Sequence, residues 1–533
     1  MVKLGPILKF LGCQDDTWGV SALVVTDLSD APPLLKVSGQ PDPQAIKLRD
    51  LGHTSSSVWR FDFAVIQNAT AQNVQYLLNG IPNEFQVPPK GGRPSIAYAS
   101  CNGFSDPKLM KQVDEQNALW TRMCRLHDAV DKIRGRQFGP WNLLLMGGDQ
   151  IYSDTIWQTI PELTTWCELP MKLRLEQPFT EKMRTQVERF FETLYLARWR
   201  QPEIGKIMAR VPTVMMWDDH DIIDGWGSYP WEQHNCPVYQ GIFAIARDYF
   251  KLFQLQAAQA LPPATLPAQN AFNKAFRLGS MGLLVLDMRS ERQPLKPPVD
   301  QSADHTPDQV LSEQSWNAVY KWMDSQRGMT HLLVMSSIPV VHPSFGLLEK
   351  MLGFLPGQQE LEDDLRDHWT SAPHLQERLR LVHRLLRLSA DKNCRVTLLS
   401  GDVHVAAVGA VESDRNDVPP NARVVNQLTS SGIVHPAPPA MARFFLEQAC
   451  TNVETIDRGI TARMYEFPAT TRRLIGARNF LTLEPDTQDR LWANWWVEGE
   501  SDPTTKVIHP VQTSAVRVEP SSDTTIALMA PVR

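Results

Sequence analysis

Val211-Pro-Thr-Val-Met-Met-Trp217 runs directly into Asp218-Asp219-His220-Asp221. The first half reads as a β-strand buried on both faces, because it is apolar throughout rather than alternating. The second half puts three carboxylates and an imidazole into four consecutive residues. Ionised carboxylates side by side repel, and each would cost several kcal/mol to desolvate alone. The run therefore demands a nearby positive charge, for which a metal ion is a compact source.

Other buried-type strands end the same way. Ile96–Ala99 is followed by Ser100-Cys101-Asn102. Leu143–Met146 is followed by Gly147-Gly148-Asp149-Gln-Ile-Tyr152-Ser-Asp154. Leu283–Leu286 leads to Asp287-Met-Arg289, and Val396–Leu399 to Ser400-Gly401-Asp402-Val403-His404. A sixth strand, Leu332–Met335, runs into Ser336-Ser-Ile-Pro339, with His342 a few residues on. Ligands of α/β sheets bind beyond the carboxyl ends of strands, so residues about 300 positions apart are expected to converge.

Helical patterns separate several of these strands. Thr306-Pro-Asp-Gln309 reads as a capping box opening a helix to about Gln326. A second helix is expected over about 374–389, with Leu379, Val382, Leu385 and Leu386 on one side. The alternation predicts an α/β core. Phe480–Leu483 and Leu491–Val497 read as a late hairpin.

Residues 1–90 differ. Short β-rich runs (18–25, 34–38, 58–65, 74–78 and 84–87) alternate with Asp/Pro/Gly turns, as in a small antiparallel sandwich. Pro88-Pro-Lys-Gly-Gly-Arg-Pro94 reads as a linker. Two domains are expected: an N-terminal β-sandwich over 1–90 and an α/β domain over 91–533.

Composition bounds the function. The chain has 533 residues, a net charge of −6, 43% hydrophobic residues and 21% charged residues. It has no basic surplus of the kind that marks a nucleic-acid-binding protein. Its seven cysteines show no CxxC spacing, which fits a reducing compartment. The start, Met1-Val-Lys-Leu-Gly-Pro-Ile-Leu-Lys-Phe-Leu-Gly12, is a short apolar patch broken by Pro6 and Lys9, unlike a signal peptide or twin-arginine leader. No run reaches the roughly 18 apolar residues of a membrane span. The expectation is a cytoplasmic protein with no membrane partner.

The residue types point to metals. Carboxylates suit calcium, manganese or ferric iron. A thiolate with a phenolate suits ferric iron or another Lewis-acidic transition metal. So many anionic groups imply two or more ions, and paired ions activate water and clamp a displacement at phosphorus. Each residue also has a plainer reading. Asp218 and Asp221 could cap a helix. Cys101 could be a buried small hydrophobe, Tyr152 a packed aromatic and His404 a core histidine. Arg289 could pair with Asp287. Trp226, Tyr229 and Trp231 could line a substrate mouth or pack their loop, and His368 and Trp369 share that ambiguity. Arg378, Arg380, Arg384 and Arg387 read as a solvated helix face.

The five motifs, in this order, resemble those of alkaline phosphatase D-type (PhoD-like) phosphodiesterases of the calcineurin-like metallophosphatase superfamily. The likeness spans about residues 90–405, and Thr429-Ser-Ser-Gly432 is similar to a further family loop. The fold it implies is a metallophosphatase β-sandwich core flanked by helices, with a small β-sandwich ahead of it. Asp149 would bridge the metals. Cys101 and Tyr152, with His404, would hold a ferric-type ion. Asp219 and Asp402 stand where the wider superfamily often has Asn and His, so the second site is carboxylate-rich, favouring calcium; manganese or zinc are the alternatives. His342 is the one histidine near the middle strand where that superfamily has another ligand, and Asp154 is a further possible ligand. His220 would protonate the leaving oxygen, and Asn102 and Arg289 would contact phosphate.

The expected activity is hydrolysis of a small-molecule phosphoester, diester or monoester, by a metal-activated hydroxide. Nucleic acid enters only as a phosphodiester substrate. The alternative is a non-catalytic, metal-stabilised binding scaffold. A serine esterase ranks last, because no Gly-x-Ser-x-Gly elbow occurs.

Overall fold

The computed structural model describes residues 1–294, 296, 309–343, 369, 374–468 and 470–511. Two large sheets carry the molecule. In the first, Ile96–Ala99, Leu143–Gly147 and Thr213–Met216 lie side by side and parallel. In the second, Met281–Leu286, His331–Ser336, Arg395–Ser400 and Val424–Thr429 do the same. Each strand expected from the sequence lies within one of these.

The continuous hydrophobicity of the strands has a layered cause. Leu143, Leu145, Val214 and Met216 point into a core shared with Leu283, Val285, Leu333, Met335 and Leu399 of the other sheet. Their neighbours Leu144, Met146, Met215 and Trp217 point the other way, onto residues of helices Glu181–Trp199 and Pro237–Phe253. On the far side, Leu284, Leu286, Val334 and Leu398 meet helices Glu313–Ser325 and Leu375–Lys392. The order is helix, sheet, sheet, helix, so the central strands have no solvent face.

The first ninety residues form the antiparallel strands expected of them, with two additions: Val2–Gln14 and Ile46–Leu51. Four of these strands join the first sheet of the rest of the chain. Val2–Gln14 pairs in parallel with Thr213–Met216 at Lys9↔Thr213, and Thr17–Asp27, Ser56–Ile66 and Ile46–Leu51 extend the same sheet. Leu35–Val37, Gln72–Leu78 and Ile81–Val87 form a separate three-stranded sheet. Its Val37, Tyr76 and Phe85 share the inter-sheet core.

Pro6 and Lys9 hid the first strand in the sequence. Pro6 lies within a register shift between Leu4 and Ile7, where a proline interrupts no ladder bond. Lys9 is buried, and its ammonium donates to the Leu255 carbonyl. At the other end, Asn479–Pro485 and Leu491–Val497 form the expected hairpin, which joins the first sheet beside Ile96–Ala99.

The helix expected from Thr306 begins instead at Glu313, capped by Ser312, whose hydroxyl accepts from the Ser315 amide at 3.2 Å. Thr306–Asp308 lie outside the described residues, as does His368. Trp369 is buried. Arg378 leaves the predicted solvated face: it is 1% exposed and forms a two-pronged pair with Glu454 at 2.5 and 2.7 Å. Among the described residues no helix is long and apolar enough to cross a membrane.

Candidate metal centre

Loops from both sheets meet at the carboxyl ends of the parallel strands, where they are stitched by backbone bonds. Cys101 N donates to Gly148 O at 3.2 Å and Asn102 N to Asp149 O at 2.8 Å. Across the two sheets, Ile433 N donates to Ser100 O at 3.1 Å and His435 N to Cys101 O at 3.2 Å. The turns are sharp. Cys101, Asp149, Asp402 and His404 all have left-handed backbones, with φ of 57°, 54°, 69° and 51°. Such conformations cost of order 1–3 kcal/mol each and gather at functional sites. Gly103 allows the packing: a Cβ there would lie 2.4 Å from the Tyr152 ring.

Three overlapping groups result. Asp149, Asp219 and His220 each place one ligand-type atom within 4.8 Å of the others; Asp218, Asp219 and Asp402 do the same, and so do Asp154, His220 and Asp224. Cys101 Sγ lies 3.3 Å from Asp149 Oδ2. Tyr152 stacks on His220 at 4.4 Å. His404 stacks on His435 at 3.7 Å.

Several of these atoms are shielded from solvent and lack a hydrogen bond among the described residues: Asp149 Oδ1, Tyr152 Oη and His404 Nδ1. Buried polar atoms are nearly always paired, so three such atoms in one site mark a place built for another partner. Burial and the nearby Cys101 push the Asp149 carboxyl and the Tyr152 phenol well up. Burial also raises the Cys101 thiol and lowers His404. A cation among these groups would reverse the upward shifts of Asp149, Tyr152 and Cys101 and push His404 further down, each toward its ligating form. The donor set of thiol, phenol, imidazole and carboxylates fits metal ions.

His220 has a different setting. Its Nδ1 lies 2.7 Å from Asp154 Oδ1, and its Nε2 lies 4.0 Å from Asp224 Oδ1. Burial pulls its pKa down. The carboxylates of Asp154, Asp219 and Asp149 outweigh this and hold it well above the usual histidine value.

The chain supplies part of the positive charge that Asp218–Asp221 demanded. Arg289, read as a phosphate contact, is fully buried. Its Nε donates to Asp218 Oδ1, its Nη2 lies 3.2 Å from Asp219 Oδ1, and its Nη1 donates to Trp226 O at 2.7 Å. Asp287 does not pair with its side chain; that carboxylate takes Trp217 Nε1 and the Phe272 amide, both at 2.8 Å. Asn102 is also buried and committed. Its Oδ1 accepts from Trp120 Nε1 at 2.9 Å and Arg198 Nη2 at 2.7 Å, and its Nδ2 donates to Gln150 O at 3.3 Å. Both residues are bound to protein partners at the site, as buried guanidinium and amide groups must be.

Asp221 is the tie between two ligand loops. Its carboxylate accepts from the Asp218 amide at 2.9 Å, from the Gln150 and Ile151 amides at 3.2 and 3.3 Å, and from Gln254 Nε2 at 2.9 Å. The capping reading of Asp221 is therefore the structural one. His342 is buried but joins none of the three groups. His435 was missed in the sequence. It follows Val424–Thr429 as the other site residues follow their strands, and that position was its signal. Asp224 was missed because it sits within a Gly-rich loop.

A two-sheet core between helices, with acidic and imidazole side chains at the carboxyl ends of its parallel strands, is the layout of a metallophosphatase. The chain belongs to the PhoD related phosphatase family, whose profile matches residues 95–356 and 344–452. A solved structure described as PhoD shares the fold at a TM-score of 0.56 and 13% identity, over 96% of this chain and 92% of that one. Purple acid phosphatase PPD1 from yellow lupin (Lupinus luteus) seeds aligns at a TM-score of 0.47 and 13% identity, over 95% and 74%. The uncharacterized protein YGR266W of Saccharomyces cerevisiae is 27% identical over 488 residues, 74% of this chain. The match spans 65% of that relative's length.

Proposed function

We propose that the chain is a metal-dependent phosphoester hydrolase acting on small-molecule phosphodiesters, with monoesters as further substrates. One observation carries this reading. Shielded donor atoms of Asp149, Tyr152 and His404 have no hydrogen bond among the described residues, and Asp149 and Tyr152 lie against the His220 of the Asp154–His220 pair. Bound there, metal ions would activate water near neutral pH and neutralise charge on the phosphoryl group. Cys101, Tyr152, Asp149 and His404 would hold a ferric-type ion, and Asp219 and Asp402 a harder ion such as calcium.

The remaining steps belong to the chain. Asp154 orients the His220 ring by accepting from Nδ1. Nε2–H is then available to protonate the leaving oxygen, so the alcohol departs neutral. Arg289 holds Asp218 and Asp219 in place from behind. No side-chain nucleophile is needed, and no covalent intermediate forms.

Elemental analysis of purified protein, paired with a panel of phosphodiesters and phosphomonoesters, tests this. Bound transition metal with diester turnover is the expected result. A metal-loaded protein that hydrolyses no phosphoester would overturn the proposal in favour of a scaffold.

A further inference from the structure

A cavity of about 580 Å³ opens beside the metal centre, within the usual size of small-molecule sites. It is joined to the site by residues that touch both. Asp154 and Asp224, the two carboxylates flanking His220, form part of its wall. Ser105, whose Oγ lies 3.1 Å from His435 Nε2, forms another part. The two carboxylates that flank His220 thus border this cavity, and a leaving alcohol protonated by His220 would occupy it.

The wall chemistry is specific. Asp106 adds a third carboxylate. Among the described residues the single cation of the lining is Lys108, whose side chain is 86% exposed and lies 4.0 Å from Asp106. Two aromatic rings, Trp157 and Tyr229, complete the wall. Both are held in place. Trp157 stacks on Trp166 at 5.8 Å, and Tyr229 meets Tyr239 edge-on at 5.0 Å while its hydroxyl donates to the Asp224 carbonyl. Aromatic faces beside carboxylates favour an ammonium group, and three carboxylates against one exposed lysine disfavour an anion.

We infer that this cavity is the leaving-group pocket and that it selects phosphodiesters whose departing alcohol carries an ammonium group. The inference rests on the phosphodiesterase reading above. In the reaction, water supplies the oxygen that bonds to phosphorus, and the phosphorus–oxygen bond to the amino alcohol breaks. The His220 proton passes to that oxygen, releasing the neutral hydroxyl of the amino alcohol and a phosphomonoester.

Three methyl phosphodiesters test the selectivity: those of choline, of 3,3-dimethylbutanol (its uncharged carbon isostere) and of 3-carboxypropanol. The metal-loaded protein should show kcat/KM in that order, with choline favoured over its isostere by about 10-fold, the range of a partly desolvated cation–π contact. Trp157→Leu should bring the choline-to-isostere ratio near one, while Trp157→Phe keeps part of it. Equal rates for choline and isostere, a preference for the carboxylate, or a ratio untouched by Trp157→Leu overturns the inference.

Calorimetric binding of the free alcohols separates the two levels of the proposal. Choline binding tighter than 3,3-dimethylbutanol, with no ester hydrolysed, sinks the hydrolase reading, and the leaving-group role with it, and leaves only the ammonium selectivity of the cavity standing. Choline binding no tighter than its isostere sinks the pocket assignment whatever is hydrolysed.

Discussion

Ser431 Oγ lies 3.0 Å from Cys101 Sγ and 2.9 Å from the backbone nitrogen of His404. The His404 amide can only donate, so it fixes the serine oxygen as its acceptor. The hydroxyl hydrogen is then free to point at the sulfur. One serine from the Val424–Thr429 exit thus ties together two of the four residues expected to hold the softer metal.

Ser431→Ala removes that bond from the sulfur. Hydrogen bonds to a ligating thiolate tune the metal it holds. With cobalt(II) as a probe, the thiolate charge-transfer band should shift in Ser431→Ala and disappear in Cys101→Ser. A band unchanged in Ser431→Ala would show that the hydroxyl does not act on the sulfur.

Asp154→Asn should disturb the orientation of His220 without removing its ring. Turnover of alkyl diesters should fall about 10- to 100-fold, and His220→Ala should lower it by about 10²–10⁴-fold, the range of general acid catalysis. Both losses should shrink on a nitrophenyl ester, whose leaving group needs little protonation. Equal losses on both substrates would rule out the proton-donor role.

Arg289 is a buried counter-ion, so its removal takes a positive partner away from Asp218 and Asp219. Arg289→Leu should destabilise the fold by about 3–5 kcal/mol, measured by urea unfolding. Arg289→Lys should recover little of it, because an ammonium cannot reach Asp218, Asp219 and the Trp226 carbonyl in three directions at once.

Metal removal should lower the melting temperature, since ions bound only by the folded chain add to its stability. Chelation followed by calorimetry reads this directly, and re-addition of metal should restore the transition. Tyr152→Phe should weaken retention of the transition metal while leaving the carboxylate-held ion in place, as elemental analysis would report.

Three histidines outside the groups that could hold metal predict acid lability. Burial lowers His127, His234 and His331 each to about 4, against 6.5 for a free imidazole. Between those values the unfolded chain takes up protons that the folded chain refuses. Their contribution is fully present above pH 6.5 and is lost as pH falls toward 4, by about 1.4 kcal/mol per pH unit per group. Melting curves from pH 7.5 to 5 should show the decline. His127→Gln, which can still accept from the Trp141 amide, should flatten its slope.

Most of the α/β frame was legible, because strands buried on both faces write themselves as unbroken apolar runs. The same rule failed at Val2–Gln14, where a proline at a register shift and a buried lysine broke the run. Helix Glu313–Ser325 was placed correctly in its body and wrongly at its start, because Ser312 caps it where Thr306 offered a more complete motif.

The sequence alone determined which residues stand at the strand exits and their chemistry: Cys101, Asp149, Tyr152, Asp219, His220, Asp402 and His404. Periodicity and side-chain type are local properties and survive in one dimension. Only the tertiary structure decided how those groups divide. It turned Arg289 inward onto Asp218 and Asp219, made Asp221 a tie between loops, brought Ser431 onto Cys101 across the two sheets, and stacked His435 on His404. Those choices depend on distances between residues tens to hundreds of positions apart, and charge compensation acts through space rather than along the chain.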